Sequence, residues 1–292
     1  MDKRSFCVEE IVIVVFRGDD PFGHEDWAVA ASVTVGIVGE TGKGDGEGDD
    51  FEDADDFAYI DHMLYATYNV KNDITFTSFT TIGKGLTFTG AIDGKNADSW
   101  NAQDGTVSTL KNVTDALVYK NSGRITDLGI NVNFTKVLSA GENIVFGAVA
   151  IYNVSGTIRN VTVDGSISIT ATQTSTVTAS GFVGESDGGT ITGDSKVQNS
   201  ISGLNITIEN ANTVYAGGYV GVINGSMTLS YGIGSGQLII SDSNHVFAGT
   251  LVGRANRTCD WSSLDETAEY RYEVAVNGTP VTDLFGYYPA TV

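Results

Sequence analysis

The chain has 292 residues, of which 41% are hydrophobic and 10% aromatic, so it can bury a core in one elongated domain or two compact ones. Its formal charge at pH 7 is −20, and residues 1–65 carry 17 acidic side chains against four basic ones. Such a surface repels phosphate backbones and anionic membranes, which argues against nucleic-acid binding. Binding of a cationic partner is compatible with this charge.

Residues 1–50 are predicted to form an N-terminal extension that precedes the repeats. Met1–Arg4 could begin a signal peptide, but Glu9 and Glu10 interrupt it and the apolar run 11–16 is shorter than a signal-peptide core. That run and residues 27–38 either pair as strands that cap a coil or stay disordered. We expect either that export is directed from outside this sequence or that the extension is poorly ordered or artefactual. No run of 18 apolar residues occurs, so no membrane insertion is predicted.

Residues 39–56 are rich in Gly, Asp and Glu, which cannot bury surface and are typical of a solvated linker. The alternative is a calcium site, because Asp45, Glu47 and Asp49 alternate and calcium prefers clustered carboxylates. Asp50 stands where an EF-hand loop needs glycine, and no suitably spaced glutamate closes the loop. The linker is therefore favoured, and no metal or cofactor is predicted.

Residues 145–256 repeat one phrase, a glycine or small residue followed by an aromatic or apolar residue, valine and glycine. It occurs four times, at 146–150, 180–184, 217–221 and 250–253. Its valines are separated by 34, 37 and 32 residues and are Val149, Val183, Val220 and Val252. A period of this size is typical of a stacked-repeat protein, so we expect these valines to form one buried column.

Inside each repeat, apolar residues alternate with Thr, Ser and Asn, as in residues 158–169. A period of two indicates strands with one buried face, and β-branched residues suit such a surface. Residues 121–255 hold only eight acidic and five basic side chains, so their outer face consists of short polar groups that can stack without repulsion. The predicted fold is all-β, a right-handed parallel β-helix or β-solenoid. An antiparallel β-sandwich is the alternative.

The motifs between residues 57 and 256 follow a characteristic order: a strand at 66–76, Ile82-Gly83, the phrase 88–94, then Gly181–Gly184 and Gly188–Ile191. This order resembles that of GLUG-type repeat surface proteins of bacteria and protists. The resemblance implies an adhesin-like protein that is secreted or held at the cell surface. Lys95-Asn96-Ala97 replaces the usual Asn-Gly of that family, so we expect a bulge up to Trp100.

The last 36 residues break the repeat. Residues 270–276 alternate before an Asn277-Gly278 turn, and a strand pair ending at 284–288 would shield the last coil. The predicted organisation is thus an extension and acidic linker at 1–50, a solenoid at 51–256 and a C-terminal cap at 257–292. Cys7 and Cys259 lie far apart, which predicts two free or buried thiols.

Catalytic constellations are weak in this sequence. Arg159 and Asp164 would point to opposite faces of an unbroken strand, and Arg124 and Asp127 precede them by one repeat, so a structural ion pair or plain solvation is favoured. A second set, Ser241, Asp242 and His245, has the residue types of a hydrolase triad but falls in one turn without a nucleophile elbow. His24 and His62 are isolated. No catalytic residue is predicted.

Eight Asn-x-Ser/Thr sequons are present, against about 3.6 expected by chance from the composition. They are candidate glycosylation sites if the protein is exported by a eukaryote, although a Thr-rich solenoid would generate some of them unaided. Their asparagines are Asn112, Asn133, Asn153, Asn160, Asn205, Asn224, Asn256 and Asn277.

The leading functional hypothesis is a non-enzymatic, extracellular or cell-surface β-solenoid that acts as a structural or adhesin-like module and binds carbohydrate or protein. The first alternative is a carbohydrate-active β-helix enzyme, which would need two carboxylates converging on one face. The second is a filament subunit whose coils stack end to end, because a terminal strand can pair with another chain.

Overall fold

The computed structural model describes residues 49–51, 53–57, 60–95, 107–192, 199–230, 232–257, 259–263 and 271–287. The chain divides into Met1–Glu47 and Gly48–Val292, and all described residues belong to the second part. The predictions for the extension, for the calcium segment up to residue 48, and for the bulge at Trp100 therefore lie outside the described residues. The boundaries predicted at residues 50 and 256 stay predictions.

Apart from a short helix α1 (Ala54–Phe57) and a 3-10 turn at Ile60–His62, the regular structure of the described residues is strand. The strands before the central turns are β1 (Asp49–Phe51), β2 (Thr67–Val70), β3 (Ile74–Thr75), β4 (Ala91–Asp93), β5 (Thr109–Val113) and β6 (Val118–Asn121). The central turns contain β7 (Arg124–Val137), β8 (Ile144–Gly147), β9 (Ala150–Asn153), β10 (Thr157–Thr170), β11 (Thr176–Ser180) and β12 (Val183–Ser186).

The later strands continue the same order. Two further turns comprise β13 (Gly189–Thr192), β14 (Asn199–Glu209), β15 (Thr213–Gly217), β16 (Val220–Ile223), β17 (Met227–Ser230), β18 (Gly232–Ser241), β19 (His245–Gly249) and β20 (Val252–Ala255). The last strands are β21 (Cys259–Ser263), β22 (Arg271–Val276), β23 (Thr279–Val281) and β24 (Phe285–Tyr287).

These strands form three sheets. The long sheet follows the order β1-β2-β4-β7-β10-β14-β18-β22-β23 with short strands beside it, the four-stranded sheet follows β19-β15-β11-β8, and the six-stranded sheet follows β24-β20-β16-β12-β9-β6. Neighbours within each sheet come from successive turns of the chain and run parallel, with one antiparallel pair at β22–β23. The unit is a β-solenoid of about five turns. The predicted all-β parallel solenoid is confirmed, and the sandwich alternative is wrong.

The interior is built from columns of apolar side chains at register positions of the long sheet. One column is 3% exposed or less in every turn and consists of Ile92, Ile125, Ile158, Ile191 and Leu229. A second, also buried, is Phe134, Ile167, Ile206, Leu238 and Val274. Each fully buried residue of this size contributes about 1.5–3 kcal/mol through the hydrophobic effect, so these columns are what hold successive turns together.

The predicted valine column is correct for three members and wrong for the fourth. Val183, Val220 and Val252 are register partners, but the partner of Val183 in the preceding turn is Ala150. Val149 is buried one residue earlier, at the position that Phe182 fills in the next turn. The reason is that Gly147 aligns with Ser180 and Gly217 at the end of the four-stranded sheet, which shifts the whole phrase by one residue.

The C-terminal strands extend the coil beyond residue 256. β21 and β22 pair in parallel with β17 and β18, and β24 pairs in parallel with β20. At Asn277 and Gly278, both with positive φ (48° and 78°), the chain reverses into β23. The predicted Asn-Gly turn therefore forms a hairpin whose second strand, containing Pro280, is the last strand of the long sheet.

Candidate functional site

One outer position of the six-stranded sheet carries a different side chain in each turn. The register aligns Lys120, Tyr152, Glu185, Val222, Arg254 and Tyr287, which we call the strip. All of them except Val222 are partly or largely exposed, and Tyr287 is 44% exposed. In the five strands of the sheet other than β24, the residue that follows the strip position is buried, as Ser186 and Ala255 show, so the strip lies on the outer face of the sheet.

The four-stranded sheet adds aromatic rings beside the C-terminal half of the strip. Tyr215 and Phe247 are register partners whose rings stack with centroids 5.2 Å apart. The guanidinium carbon of Arg254 lies 5.4 Å from the Tyr215 centroid, 5.9 Å from that of Phe247 and 5.6 Å from that of Tyr287. Phe247 and Tyr287 meet edge to face at 6.2 Å. These four residues are the ring cluster.

The charge of Arg254 is stabilised mainly by these rings. One terminal nitrogen donates a hydrogen bond of 3.2 Å to the Tyr215 hydroxyl, whereas the buried Nε has no hydrogen-bond partner. Three ring faces or edges within 6 Å of a guanidinium supply a favourable electrostatic environment. The arrangement fixes the guanidinium between two sheets and leaves the Tyr287 ring open to solvent.

Glycines in the repeated phrase allow the two sheets to approach each other here. A Cβ atom on Gly184 would lie 2.7 Å from Val145 Cγ1, and one on Gly221 would lie 2.6 Å from Thr178 Cγ2. Both distances are shorter than real side-chain contacts, so any larger residue would push the sheets apart. This gives a physical reason for the last glycine of the repeated phrase.

A second pair of rings lies toward the N-terminal end of the strip. Tyr119 and Tyr152 meet edge to face with centroids 5.5 Å apart. Burial, Glu185 and Tyr119 raise the pKa of the Tyr152 hydroxyl. Burial, together with Asp187, raises the pKa of the Glu185 carboxyl. The centre of the strip is therefore a carboxyl that is partly withdrawn from water, with Tyr152 on one side and Val222 on the other.

The sequon asparagines do not share one surface. Asn133, Asn205, Asn256 and Asn277 are exposed, Asn112 and Asn224 are partly exposed, and Asn153 and Asn160 are buried. Several carry hydrogen bonds between turns: Asn256 Nδ2 donates to Asn224 Oδ1 at 2.8 Å, and Asn133 Nδ2 to Asn112 Oδ1 at 3.3 Å. The excess of sequons thus has a folding reason, and their glycosylation stays a prediction.

Asn153 belongs to a buried polar column. Its Nδ2 donates to the carbonyl oxygens of Gly156 and Gly188, at 3.2 and 2.9 Å, and its Oδ1 accepts from Asn121 Nδ2 at 2.9 Å. The same register position is occupied by Ser186 in the following turn. In the folded protein this amide is a structural group inside the corner between two sheets, inaccessible to a modifying enzyme.

Asn160 explains why one parity argument from the sequence was wrong. It has a positive φ of 55° and donates to Asp127 Oδ1 at 2.9 Å, and both Asn160 and Val161 are buried. Because two consecutive residues are buried, the alternation of inward-facing and outward-facing side chains shifts by one residue after Asn160. Arg159 and Asp164 therefore both reach the outer surface. Arg159 lies 4.0 Å from Asp127, while Asp164 accepts from Asn131 Nδ2 at 2.6 Å.

These contacts match the structural interpretation of the charged residues. The Arg159–Asp127 pair is half exposed on the arginine side, so it contributes little to stability. Among the described residues no three His, Cys, Asp or Glu side chains are placed to hold a metal ion. The side chains of His24, His62, Cys7 and Cys259 lie outside the described residues.

The residue types of a triad at the corner after β18 are not assembled. Asp242 has a positive φ of 51° and its carbonyl accepts from Gln173 Nε2 at 2.7 Å, while His245 is exposed. Within the described part of the chain, no hydrogen bond joins the side chains of Ser241, Asp242 and His245. They shape a turn.

The sequence reasoning missed the ring cluster. Its signal was present, because Tyr215 and Phe247 each stand two residues before an aligned glycine in successive repeats. Arg254 and Tyr287 could be joined to them only once the register between the two sheets was known.

Comparison with protein-family models, with curated proteins and with solved structures gave no match. Within the described residues, no helix is both long and apolar enough to span a bilayer.

Proposed function

We propose that this chain is a non-catalytic β-solenoid of a secreted or cell-surface protein, a structural or adhesin-like module that binds carbohydrate or protein. The observation that carries the proposal is the strip with its ring cluster, where aromatic rings, a guanidinium and a carboxyl lie side by side on stacked strands. The resemblance of residues 57–256 to GLUG-type repeats supports the surface location.

The scaffold suits recognition because it is rigid. Each ring stands on a strand that is hydrogen-bonded to the strand of a neighbouring turn, so the backbone beneath it is fixed before a ligand binds. Tyrosine offers an apolar face together with a polar hydroxyl, a combination common at binding surfaces.

The test is to apply the full chain to a glycan array, an array of extracellular matrix proteins and a panel of soluble polysaccharides, and to assay reducing ends released over the same period. We expect dissociation constants in the micromolar to millimolar range and no release of reducing ends. Turnover of any polysaccharide, or no binding to any glycan or extracellular matrix protein, would contradict the proposal.

A second candidate, a carbohydrate-active enzyme, is favoured by one observation. Glu185 lies in the strip with a raised pKa, and the nearby Asp187 carboxylate contributes to that shift, which is the combination a general acid requires. If this candidate is correct, the wild-type chain releases reducing ends and Glu185→Gln abolishes that release without weakening binding.

A further inference from the structure

The strip is long enough to contact several units of a polymer. Four register steps separate Tyr152 from Tyr287, through Glu185, Val222 and Arg254. Neighbouring strands are about 4.8 Å apart, so the two tyrosines are separated by about 19 Å along the axis of the coil. Aromatic rings stand at both ends of this distance, and charged hydrogen-bonding groups stand between them.

The chemistry of the strip fits a sugar polymer. Pyranose rings present C–H groups on their faces and hydroxyls at their edges, so their faces pack on aromatic rings while their hydroxyls need donors and acceptors nearby. Arg254 supplies N–H donors and Glu185 supplies acceptor oxygens, one and three steps from Tyr287 respectively. A regular spacing of one strand per step suits a ligand that itself repeats.

The charges favour a neutral polymer over an acidic one. The basic Lys120 and Arg254 balance the acidic Glu185 and the nearby Asp187, so the strip offers an acidic polysaccharide no net attraction. The chain as a whole carries a formal charge of −20, and an acidic polysaccharide would place further carboxylates beside the partly desolvated Glu185, which costs free energy. Hydroxyl groups of a neutral sugar carry no such cost.

We propose that the strip binds a neutral, linear polysaccharide that lies along the axis of the coil, with sugar rings packed on Tyr152 and Tyr287. This inference rests on the proposed carbohydrate-binding function and assigns it a site and a ligand class.

The experiment measures dissociation constants of the full chain for two neutral polymers, mixed-linkage β-glucan and glucomannan, and for the acidic polymer polygalacturonate. Tyr152→Ala and Tyr287→Ala are each expected to weaken neutral-polymer binding about tenfold, the size of one aromatic contact. Tyr152→Phe and Tyr287→Phe keep the rings and are expected to bind within about threefold of wild type.

The matched control is Tyr65→Ala, because Tyr65 is 72% exposed and precedes β2 of the long sheet, in an earlier turn than any residue of the strip. It is expected to bind as wild type does. Circular dichroism and urea unfolding on every variant separate lost binding from lost folding.

Two results would overturn the inference and leave the proposed function standing. One is wild-type binding to neutral polymers that both alanine variants retain, which would place the site on another surface. The other is tighter binding to polygalacturonate than to either neutral polymer. Absence of binding to all three polymers would also overturn it, and the glycan and matrix-protein arrays then decide whether the proposed function falls with it.

Discussion

The interior and the strip use the same repeat in opposite ways. The interior column that contains Ile125 and Ile158 has isoleucine in four successive turns and leucine in the next. The strip instead has lysine, tyrosine, glutamate, valine, arginine and tyrosine at equivalent positions. Stacking favours buried, mostly apolar side chains at equivalent interior positions, because each turn packs only on its neighbours. It imposes no such preference outside. A position whose chemistry changes from turn to turn is therefore a good place to look for function.

The largest test of this comparison is Ile158→Ala. Ile158 is fully buried between Ile125 and Ile191, so we expect a loss of about 3–4 kcal/mol in the free energy of unfolding from lost burial and a cavity. Urea unfolding followed by circular dichroism measures it. Val137→Ala, at a site that is 70% exposed, should change stability by less than about 0.5 kcal/mol. Equal effects of the two substitutions would mean that the apolar columns do not hold the turns together.

Asn153→Ala tests an interior column that is not uniform. The substitution leaves the buried Asn121 Nδ2 without its acceptor and removes one of two donors to the Gly188 carbonyl, which keeps Ser186 Oγ, so we expect a cost of about 1–3 kcal/mol. Asn256→Ala removes an exposed inter-turn hydrogen bond and is expected to cost less than about 0.5 kcal/mol. The same unfolding experiment compares the pair. If Asn153→Ala is as mild as its control, the buried ladder is not a stabilising element.

The smallest expected effect is that of Glu185→Gln, which tests the strip. Burial and Asp187 raise the pKa of Glu185 in the folded state, so the folded state favours the protonated form. The protonated carboxyl does not oppose folding at low pH, but the free energy of unfolding decreases as the pH rises from the pKa of the unfolded state through the higher pKa of the folded state. Glu185→Gln should therefore have a higher Tm than wild type at pH 7.5 and the same Tm below about pH 4. The control is Glu209→Gln, at an exposed site. A lower Tm for Glu185→Gln at pH 7.5 would contradict the placement of this carboxyl.

The sequence was sufficient for the fold because stacking requires repetition, and repetition is visible without structure. The period and the alternation of apolar residues predicted the parallel coil, and three of four valines were assigned to the correct column. The fourth was not, because Gly147-Ala148-Val149-Ala150 offers two alignments of small residues that only the packing of two sheets distinguishes.

The outer surface was less predictable for two physical reasons. A single residue with positive φ, Asn160, exchanges the inner and outer positions that follow it, and an asparagine in sequence does not announce that conformation. The strip joins residues from turns of unequal length, 32 to 37 residues apart, so its members share no fixed spacing. Because the strip residues also differ in type, no repeated sequence motif marks their positions.

The hairpin at β22–β23 closes one end of the long sheet. Of the described strands in the long sheet, the last is three residues long, runs against its neighbour and contains Pro280, which has no N–H to offer. A second molecule arriving at this end would find a short edge that lacks one donor and has the wrong polarity for parallel addition. For the long sheet, this end is built as a terminus, so any polymerisation of the coil would have to avoid it.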